Sequence, residues 1–298
     1  MNRFPGNDKI DHFCNIMPDR ILSVFPVPEM MPENASTAES LGGTVAVVID
    51  VFRATTTITH ALVAGATQAI PCLEIQDAFD MREKLRQQSI DEHILLGGER
   101  GGVLIDGFDL GNSPEDYTPE RVGGKTLIFS TTNGTRAMFR LCDADAIYLA
   151  CFNNASAVAK CLLEFPKITI LCAGTNRQYT EEDMLLAGFL VERLTRWSEN
   201  RYALNTYAVA AREQWDTNFP LAKRIGEEPI HPENLAQILR QSRGGKNLMQ
   251  LGLGKDILAA SCIDLFDLVP KIDLKEPQHN EPRTSESALT IKAARNCE

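Results

Sequence analysis

Two glycine-broken loops carry the side chains of this chain that are best suited to chemistry. The first is Gly98-Glu99-Arg100-Gly101-Gly102, and the second runs from Gly107 to Pro114 and contains Asp109, Asn112 and Ser113. Glycine lets a backbone approach a ligand closely, a carboxylate binds cations, and a guanidinium forms two parallel bonds with an anion. The loops therefore indicate a site for a phosphate and a metal ion, with solvated or Asx-type turns as the alternative interpretation.

Asp50 is a further candidate because it ends the apolar run from Val45 to Ile49 and lies three residues before Arg53. A helix N-cap with an Asp–Arg ion pair is one interpretation. The other is a carboxylate ligand of Mg²⁺ beside an arginine that binds an anion. The Thr55-Thr56-Thr57 run that follows suits a first helical turn whose hydroxyls and N–H groups face a ligand.

Two more polar clusters follow apolar runs. The segment Ser130-Thr131-Thr132-Asn133-Gly134-Thr135-Arg136 is either a helix cap rich in hydroxyls or a set of donors to an anion. Glu181, Glu182 and Asp183 open a later helix. The helix dipole favours acids at such a position, and one of these acids could also reach a metal ion.

The elements that must position these clusters alternate between strand and helix. This alternation predicts an α/β fold with right-handed crossovers and a mainly parallel β-sheet covered by helices. Ligands bind such sheets at the carboxyl ends of the strands, so we expect the clusters to meet at one rim. The predicted strands lie near residues 45–49, 69–73, 94–96, 126–129, 147–150 and 168–171, and the predicted helices near 55–63, 77–86, 134–141, 155–163 and 180–197.

The C-terminal part of the chain lacks the alternation of strand and helix patterns. Helical periodicity from Tyr202 to Asp264 predicts a helical C-terminal region, and the residues from Asp264 to Pro270 predict a last strand. Residues 271–298 are charged and poor in aromatics, which predicts a polar tail that is loosely attached. We expect a single unit over residues 20–270, with a division into two subdomains near 120–125 as the alternative.

Charge and composition exclude several kinds of partner. The net charge is -10, and the resulting field repels nucleic acid and anionic membranes. The chain has no basic start followed by an apolar segment and no apolar run of membrane-spanning length. We therefore expect a cytoplasmic protein that binds neither nucleic acid nor membrane, and whose anionic ligand is held by a local cluster of donors.

Several standard phosphate motifs are missing from the sequence. It contains no GxxxxGK[ST] loop, and Asp50 lacks a second aspartate two residues later. Cys172 and Arg177 are one residue too close for a thiolate phosphatase loop. Hydrolysis by water is therefore the main hypothesis, and a covalent route through Ser130, Thr131 or Cys172 is the mechanistic competitor.

Taken together, the motifs resemble the 2-phosphosulfolactate phosphatase (ComB-like) family of coenzyme M biosynthesis. The resemblance covers roughly residues 20–270. Two positions depart from the family pattern, since Asn176 to Thr180 stand where the family has Gly-Arg-Phe-Ser and Gly244-Gly245 where it has His-Gly. The matching segments are Val48 to Thr57, Gly97 to Arg100, Gly107 to Pro114, Gly124 to Thr126, Ser130 to Ala137, Cys172 to Thr175 and Glu182-Asp183.

The resemblance implies an α/β phosphatase that uses Mg²⁺ to hydrolyse 2-phosphosulfolactate, a small anionic phosphorylated substrate, to 3-sulfolactate and phosphate. It also implies a homodimer. A phosphatase of another small phosphorylated acid and a non-catalytic anion-binding protein are the alternatives. The hypothesis assigns catalysis to Asp50, Arg53, Glu99 and Arg100, the metal to Asp50, Glu99, Asp109 and Asp183, and substrate binding to Asn112, Ser113, Ser130, Thr131, Thr132, Asn133, Gly134 and Thr135.

Overall fold

A computed structural model describes residues 20–32, 41–87, 93–199, 201–220, 230–274 and 289–294. The strands in these ranges are β1 Arg20–Phe25, β2 Val45–Ile49, β3 Gln68–Pro71, β4 Ile94–Arg100, β5 Val103–Leu104, β6 Thr126–Ser130, β7 Ala146–Ala150, β8 Lys167–Cys172, β9 Tyr202–Leu204, β10 Val269–Asp273 and β11 Thr290–Ala294. The helices are α1 Ala54–Val63, α2 Ile75–Gln87, α3 Pro119–Val122, α4 Gly134–Arg140, α5 Ala155–Leu162, α6 Glu181–Trp197, α7 Thr206–Asn218, α8 Pro232–Leu239, α9 Arg243–Gln250 and α10 Gly254–Ala260.

The strands form one sheet in the order β5-β4-β6-β3-β11-β10-β7-β2-β8-β1-β9. One parallel block contains β7, β2, β8, β1 and β9, and another contains β4, β6 and β3. The predicted mainly parallel α/β fold is confirmed, and so is the helical C-terminal region. The alternative boundary near residues 120–125 lies in the segment between β5 and β6. The strands β4 and β6, on either side of this segment in the sequence, pair directly.

Two antiparallel strands, β10 and β11, separate the blocks. The pairings of β7 with β10, β10 with β11 and β11 with β3 are all antiparallel, so strand direction reverses three times between the blocks. The blocks therefore run in opposite senses, so the parallel alignment from which we expected a shared rim holds only within each block. Loops that follow strands of both blocks nevertheless line one cavity, and the polar clusters meet there.

Helices cover both faces of the sheet, and β2 shows how. All five of its residues are buried. Val45, Val47 and Ile49 pack in one core cluster with residues of α5, α6 and α7. Ala46 and Val48 pack in a second cluster with residues of α1 and α4. A continuous β-branched run suits this position because successive side chains point to opposite faces.

The end of the chain differs from the predicted polar tail. The last strands are β10, which begins at Val269 rather than at Asp264, and β11, which lies inside the sheet between β10 and β3. Ile291 of β11 is fully buried in the second core cluster. The prediction of a loosely attached tail is therefore wrong for residues 271–273 and 289–294, because a short apolar segment with strand partners outweighs the charged composition around it. Among the described residues, no helix is long and apolar enough to cross a membrane.

Ile291→Ala tests the place of β11 in the core. We expect it to lower the free energy of unfolding by about 2–5 kcal/mol, because it removes buried methyl groups and leaves a cavity. Lys292→Ala is the matched control, since Lys292 is exposed and its ion pair with Asp273 is half-exposed, and it should cost less than about 1 kcal/mol. Equal urea unfolding midpoints for wild type and Ile291→Ala would contradict the assignment.

Candidate active site

The candidate site is a cavity of about 570 Å³ between the two blocks and the C-terminal helices. Loops that follow β2, β4, β6 and β8 line it, together with helix α9. Of the residues predicted from the sequence, it gathers six. These are Asp50, Arg53, Glu99, Asn112, Thr132 and Asn133.

Asp50 follows β2 directly and is almost fully buried. Its Oδ1 accepts a hydrogen bond from Ala54 N (3.3 Å), so the carboxylate bonds the start of α1. Asp50 is not the N-cap that one interpretation predicted, because Arg53 holds that position. The predicted ion pair with Arg53 does not form, because Arg53 pairs elsewhere. A Cβ on Gly134 would lie 2.7 Å from Asp50 Oδ2, so the start of α4 approaches this carboxylate more closely than any larger residue would allow.

The electrostatics of Asp50 are those of a desolvated acid. Burial is the main cause that raises the pKa of Asp50 to about 7, with a contribution from the carboxylates of Glu99 and Glu182 and against the lowering effect of the Ala54 N–H. Each of these carboxylates disfavours a negative charge on Asp50. A cation, or a proton, is therefore favoured at this point of the cavity.

Glu99 joins two of the loops that line the cavity. Its Oε1 accepts from Thr132 N (2.9 Å) and its Oε2 from Gly102 N (2.6 Å). The first bond reaches the loop after β6, and the second closes the turn between β4 and β5. Glu99 thus holds the backbone of the site in place and still presents carboxylate lone pairs to the cavity.

Arg53 also lines the cavity, and a buried acid fixes its guanidinium. Its Nη1 donates to Asp256 Oδ2 (2.7 Å) and its Nη2 to Gly102 O (2.9 Å). Asp256 belongs to α10, and no sequence pattern connects it with Arg53. Two of the five guanidinium N–H groups make these bonds, which leaves donors for an anion.

Two cavity residues hold buried polar atoms that have no partner among the described residues. These atoms are Asn112 Oδ1 and Thr132 Oγ1. A buried polar atom without a hydrogen bond is unfavourable and indicates a missing ligand, water or ion. Asn133, the third predicted amide or hydroxyl residue at the cavity, accepts from Asn176 N (3.3 Å) and so ties the loop after β6 to the loop after β8.

Arg100 and Ser130 lie away from the cavity and support the loops behind it. Arg100 donates to Glu99 O, Leu73 O (2.8 Å) and Ser130 Oγ (2.9 Å), and Ser130 Oγ donates to Cys72 O (2.9 Å). The structure does not bring these two residues to the cavity, because backbone carbonyls already occupy their donors.

The predicted set of four metal-binding carboxylates is not assembled. Asp109 is exposed and its Oδ2 accepts from Leu96 N (2.8 Å), while Asp183 accepts from Val51 N (2.9 Å) and Gly174 N (3.0 Å) through its two oxygens. Neither residue lines the cavity. In the part of the chain that the structure describes, no group of three or more His, Cys, Asp or Glu side chains is placed to hold a metal ion.

Four other predicted substrate-binding residues also lie outside the cavity. Thr135 Oγ1 donates to Thr131 O (2.7 Å), so these two residues bond each other at the start of α4, where Asn133 is the N-cap and makes no side-chain cap bond. Ser113 Oγ donates to Asp256 Oδ2 (2.9 Å). Gly134 contributes the close approach to Asp50 described above.

The nucleophiles of the covalent alternative are all buried. Burial raises the pKa of the Cys172 thiol well above its usual value, and Asp183 and Glu182 raise it further. A thiolate is therefore disfavoured at this position. Ser130 and Thr131 are also buried and lie outside the cavity, so none of the three is placed to attack a bound ester.

Sequence reasoning missed the wall formed by α9. Arg243, Gly244, Lys246 and Asn247 line the cavity, and Ser242 Oγ caps the helix by accepting from Gly245 N (3.0 Å). Two cations in the first turn oppose the helix dipole, which favours acids there. The unusual charge of Ser242-Arg243-Gly244-Gly245-Lys246 is the signal that could have indicated an anion site.

Glu182, one of the three acids that open α6, contacts the wall formed by α9 but does not itself line the cavity. A Cβ on Gly244 would overlap its Oε1, and its Oε2 is buried without a partner among the described residues. Burial raises the pKa of Glu182 to about 8, with a further rise from the Asp183 carboxylate. Glu182 therefore adds to the negative field around Asp50 when it is ionised.

Glu182→Gln tests this burial through stability. A carboxyl whose folded pKa is raised contributes stability that is full below its unfolded pKa of about 4.3 and is lost as the pH rises through the folded value. We therefore expect the wild-type urea midpoint, measured in EDTA, to fall between about pH 5 and pH 9, and Glu182→Gln to reduce the fall. Glu181→Gln, an exposed change on the same turn, is the control. An equal fall in wild type and Glu182→Gln would contradict the burial argument.

Comparison with known proteins gives a consistent result. A family model described as 2-phosphosulpholactate phosphatase matches residues 29–275, which include every residue that lines the cavity. A probable 2-phosphosulfolactate phosphatase of Symbiobacterium thermophilum is 39% identical over 238 residues, or 80% of this chain and 94% of that protein. Proteins with the same description are 36% identical over 256 residues in Clostridium perfringens SM101 (86% and 94%) and 38% identical over 227 residues in Thermotoga petrophila (76% and 88%).

Proposed function

The chain belongs to the 2-phosphosulfolactate phosphatase family, and on this premise we propose that its cavity hydrolyses 2-phosphosulfolactate to 3-sulfolactate and inorganic phosphate. One observation carries the proposal beyond the family. The cavity combines the buried acids Asp50 and Glu99 with two cations of α9 that make no ion pair with any described acid. Such a site suits a ligand with several anionic groups. One of these groups binds a cation held by Asp50 and Glu99, and the others bind the cations of α9.

The donors at the acidic end fit Mg²⁺. Mg²⁺ usually binds one or two carboxylates, keeps several waters and binds phosphate oxygens. Asp50 and the unpartnered Asn112 Oδ1 are the hard oxygen ligands that would hold it, with Glu99 beside them. When bound, Mg²⁺ supplies positive charge that offsets the charge of the phosphoryl group.

The chain's own residues bind the two ends of the substrate. The free N–H groups of Arg53 and the hydroxyl of Thr132 donate to phosphoryl oxygens, which positions the phosphorus for attack by water. Arg243 and Lys246 bind the sulfonate and carboxylate. Direct attack by water is supported because Cys172, Ser130 and Thr131 are all buried outside the cavity.

Asp50→Asn tests the acidic end. We expect it to lower kcat for phosphate release by about 100-fold or more, because the variant loses the charge that holds a cation. EDTA should produce a similar loss in wild type, and added Mg²⁺ should restore the activity. Asp109→Asn is the control, since Asp109 is exposed and bonds Leu96 N outside the cavity. Full activity of Asp50→Asn would contradict the assignment.

Arg243→Gln and Lys246→Gln test the cationic end. Each variant should raise KM for 2-phosphosulfolactate by about 10- to 100-fold, since a hydrogen bond to a charged group contributes roughly 1.5–3 kcal/mol. The effect on 2-phospholactate, which lacks the sulfonate, should be smaller. Lys255→Gln, an exposed change outside the cavity, is the control. Equal KM changes for both substrates would show that these cations do not bind the sulfonate.

A phosphatase of another small phosphorylated acid is the second candidate function. The cations of α9 make no ion pair with a described acid and can bind a second anion of any kind, so a panel of phosphorylated 2-hydroxy acids distinguishes this candidate by the highest kcat/KM. A role in coenzyme M biosynthesis, a cytoplasmic location and a homodimer are part of the same proposal and rest on the family resemblance. Analytical ultracentrifugation tests the dimer.

A further inference from the structure

Asp256 makes no part of the cavity wall, yet one of its oxygens joins two residues of the site. It lies in the first turn of α10, and its Oδ2 accepts from Arg53 Nη1 (2.7 Å) and from Ser113 Oγ (2.9 Å). The side chains of Arg53 and Asp256 are both only 4% exposed. Three segments that are far apart in the sequence therefore converge on one carboxylate.

These bonds fix the plane of the Arg53 guanidinium. Asp256 holds Nη1, and Gly102 O holds Nη2 at 2.9 Å. The guanidinium is planar and its N–H groups form a fixed fork, so bonds at both terminal nitrogens determine where the remaining N–H groups point. Because Arg53 lines the cavity, those groups are available to a ligand there.

Stability alone is a weak explanation for this arrangement. The desolvation of two buried charges largely cancels their attraction, and an apolar pair of similar volume often serves a core equally well. The bond from Ser113 to the same Oδ2 adds orientation to the carboxylate itself. In functional sites, a side chain that contacts a ligand is often held in its orientation by a second, hydrogen-bonded side chain behind it. Asp256 stands in this relation to Arg53.

We propose that Asp256 is a positioning residue, which Ser113 orients and which sets the Arg53 guanidinium toward the transferring phosphoryl group. The inference rests on the proposed function only in the identity of the substrate. Asp256 affects phosphate release only through the position that it gives to the Arg53 guanidinium.

A double-mutant cycle on the full-length protein tests this dependence. Asp256→Asn keeps the volume of the side chain and removes its charge, and we expect kcat for phosphate release to fall about 10- to 100-fold with a smaller change in KM. Arg53→Gln should lower kcat at least as much. In the Arg53→Gln background, adding Asp256→Asn should change kcat by less than about twofold, since the group it positions is already absent.

Ser113→Ala is the milder variant if Asp256→Asn unfolds the protein. It removes only the hydroxyl donor, and we expect a smaller loss of kcat that also disappears in the Arg53→Gln background. Asp264→Asn controls for the loss of a carboxylate from the C-terminal region, because Asp264 is exposed and accepts from Ser156. Multiplicative losses in the cycle, or full activity of both Asp256→Asn and Ser113→Ala, would overturn the proposal.

Binding of inorganic phosphate separates this proposal from the function itself. Isothermal titration calorimetry with phosphate and Mg²⁺ should give weaker binding for Asp256→Asn than for wild type, and no further weakening when Asp256→Asn is added to Arg53→Gln. If wild type releases no phosphate from 2-phosphosulfolactate, the proposed function fails and the titration still decides the role of Asp256. Unchanged phosphate affinity in Asp256→Asn would then overturn it.

Discussion

The carboxylate of Asp183 makes the connection on which the rest of the site depends. It accepts one N–H from Val51 after β2 and one from Gly174 after β8, and so fixes the two loops that leave these paired strands. Asp50 directly precedes Val51, so the bond from Val51 N to Asp183 also fixes the position of Asp50. The arrangement buries Asp50, Glu182 and Asp183 close together, and burial together with mutual repulsion raises the pKa of each. This negative field, which a cation would relieve, gives the cavity its acidic end.

Both parallel blocks contribute walls to the cavity, although the blocks run in opposite directions. Strand direction reverses across β10 and β11, and the cavity is lined by loops after β2 and β8 from one block and after β4 and β6 from the other. Asn133 and Asn176 join the loops from the two blocks directly. The C-terminal helices supply what the blocks lack, since α9 adds the cations and α10 adds the acid that holds Arg53. The cavity thus has an acidic end and a cationic end. A substrate with one reactive phosphoryl group and several unreactive anionic groups matches these two ends.

Local patterns predicted much of this fold. The strands β2, β3, β4, β6, β7 and β8 are short apolar runs, and periodicity identified them together with α1, α2, α4, α5 and α6. It did not identify β1, β5 and β9. The strand β11 was missed because Ile291 is the only large apolar residue in Thr290–Ala294, and because the strand is stabilised by partners far away in the sequence. Asp50 could be predicted as a cavity residue because it directly follows β2, and Glu99 because it lies at the end of β4. Asn112 could be predicted because it lies in the second glycine-broken loop. The roles of Arg100, Asp109 and Asp183 could not, because an acid or an arginine on a loop is equally suited to backbone groups, and only the fold determines which it meets.

A crystal structure of the Asp50→Asn variant with uncleaved 2-phosphosulfolactate tests the central claim most directly. The account predicts the phosphoryl group between residue 50, Arg53 and Thr132, and the sulfonate within hydrogen-bond distance of Arg243 or Lys246. A substrate bound in the reverse orientation, or outside this cavity, would contradict it.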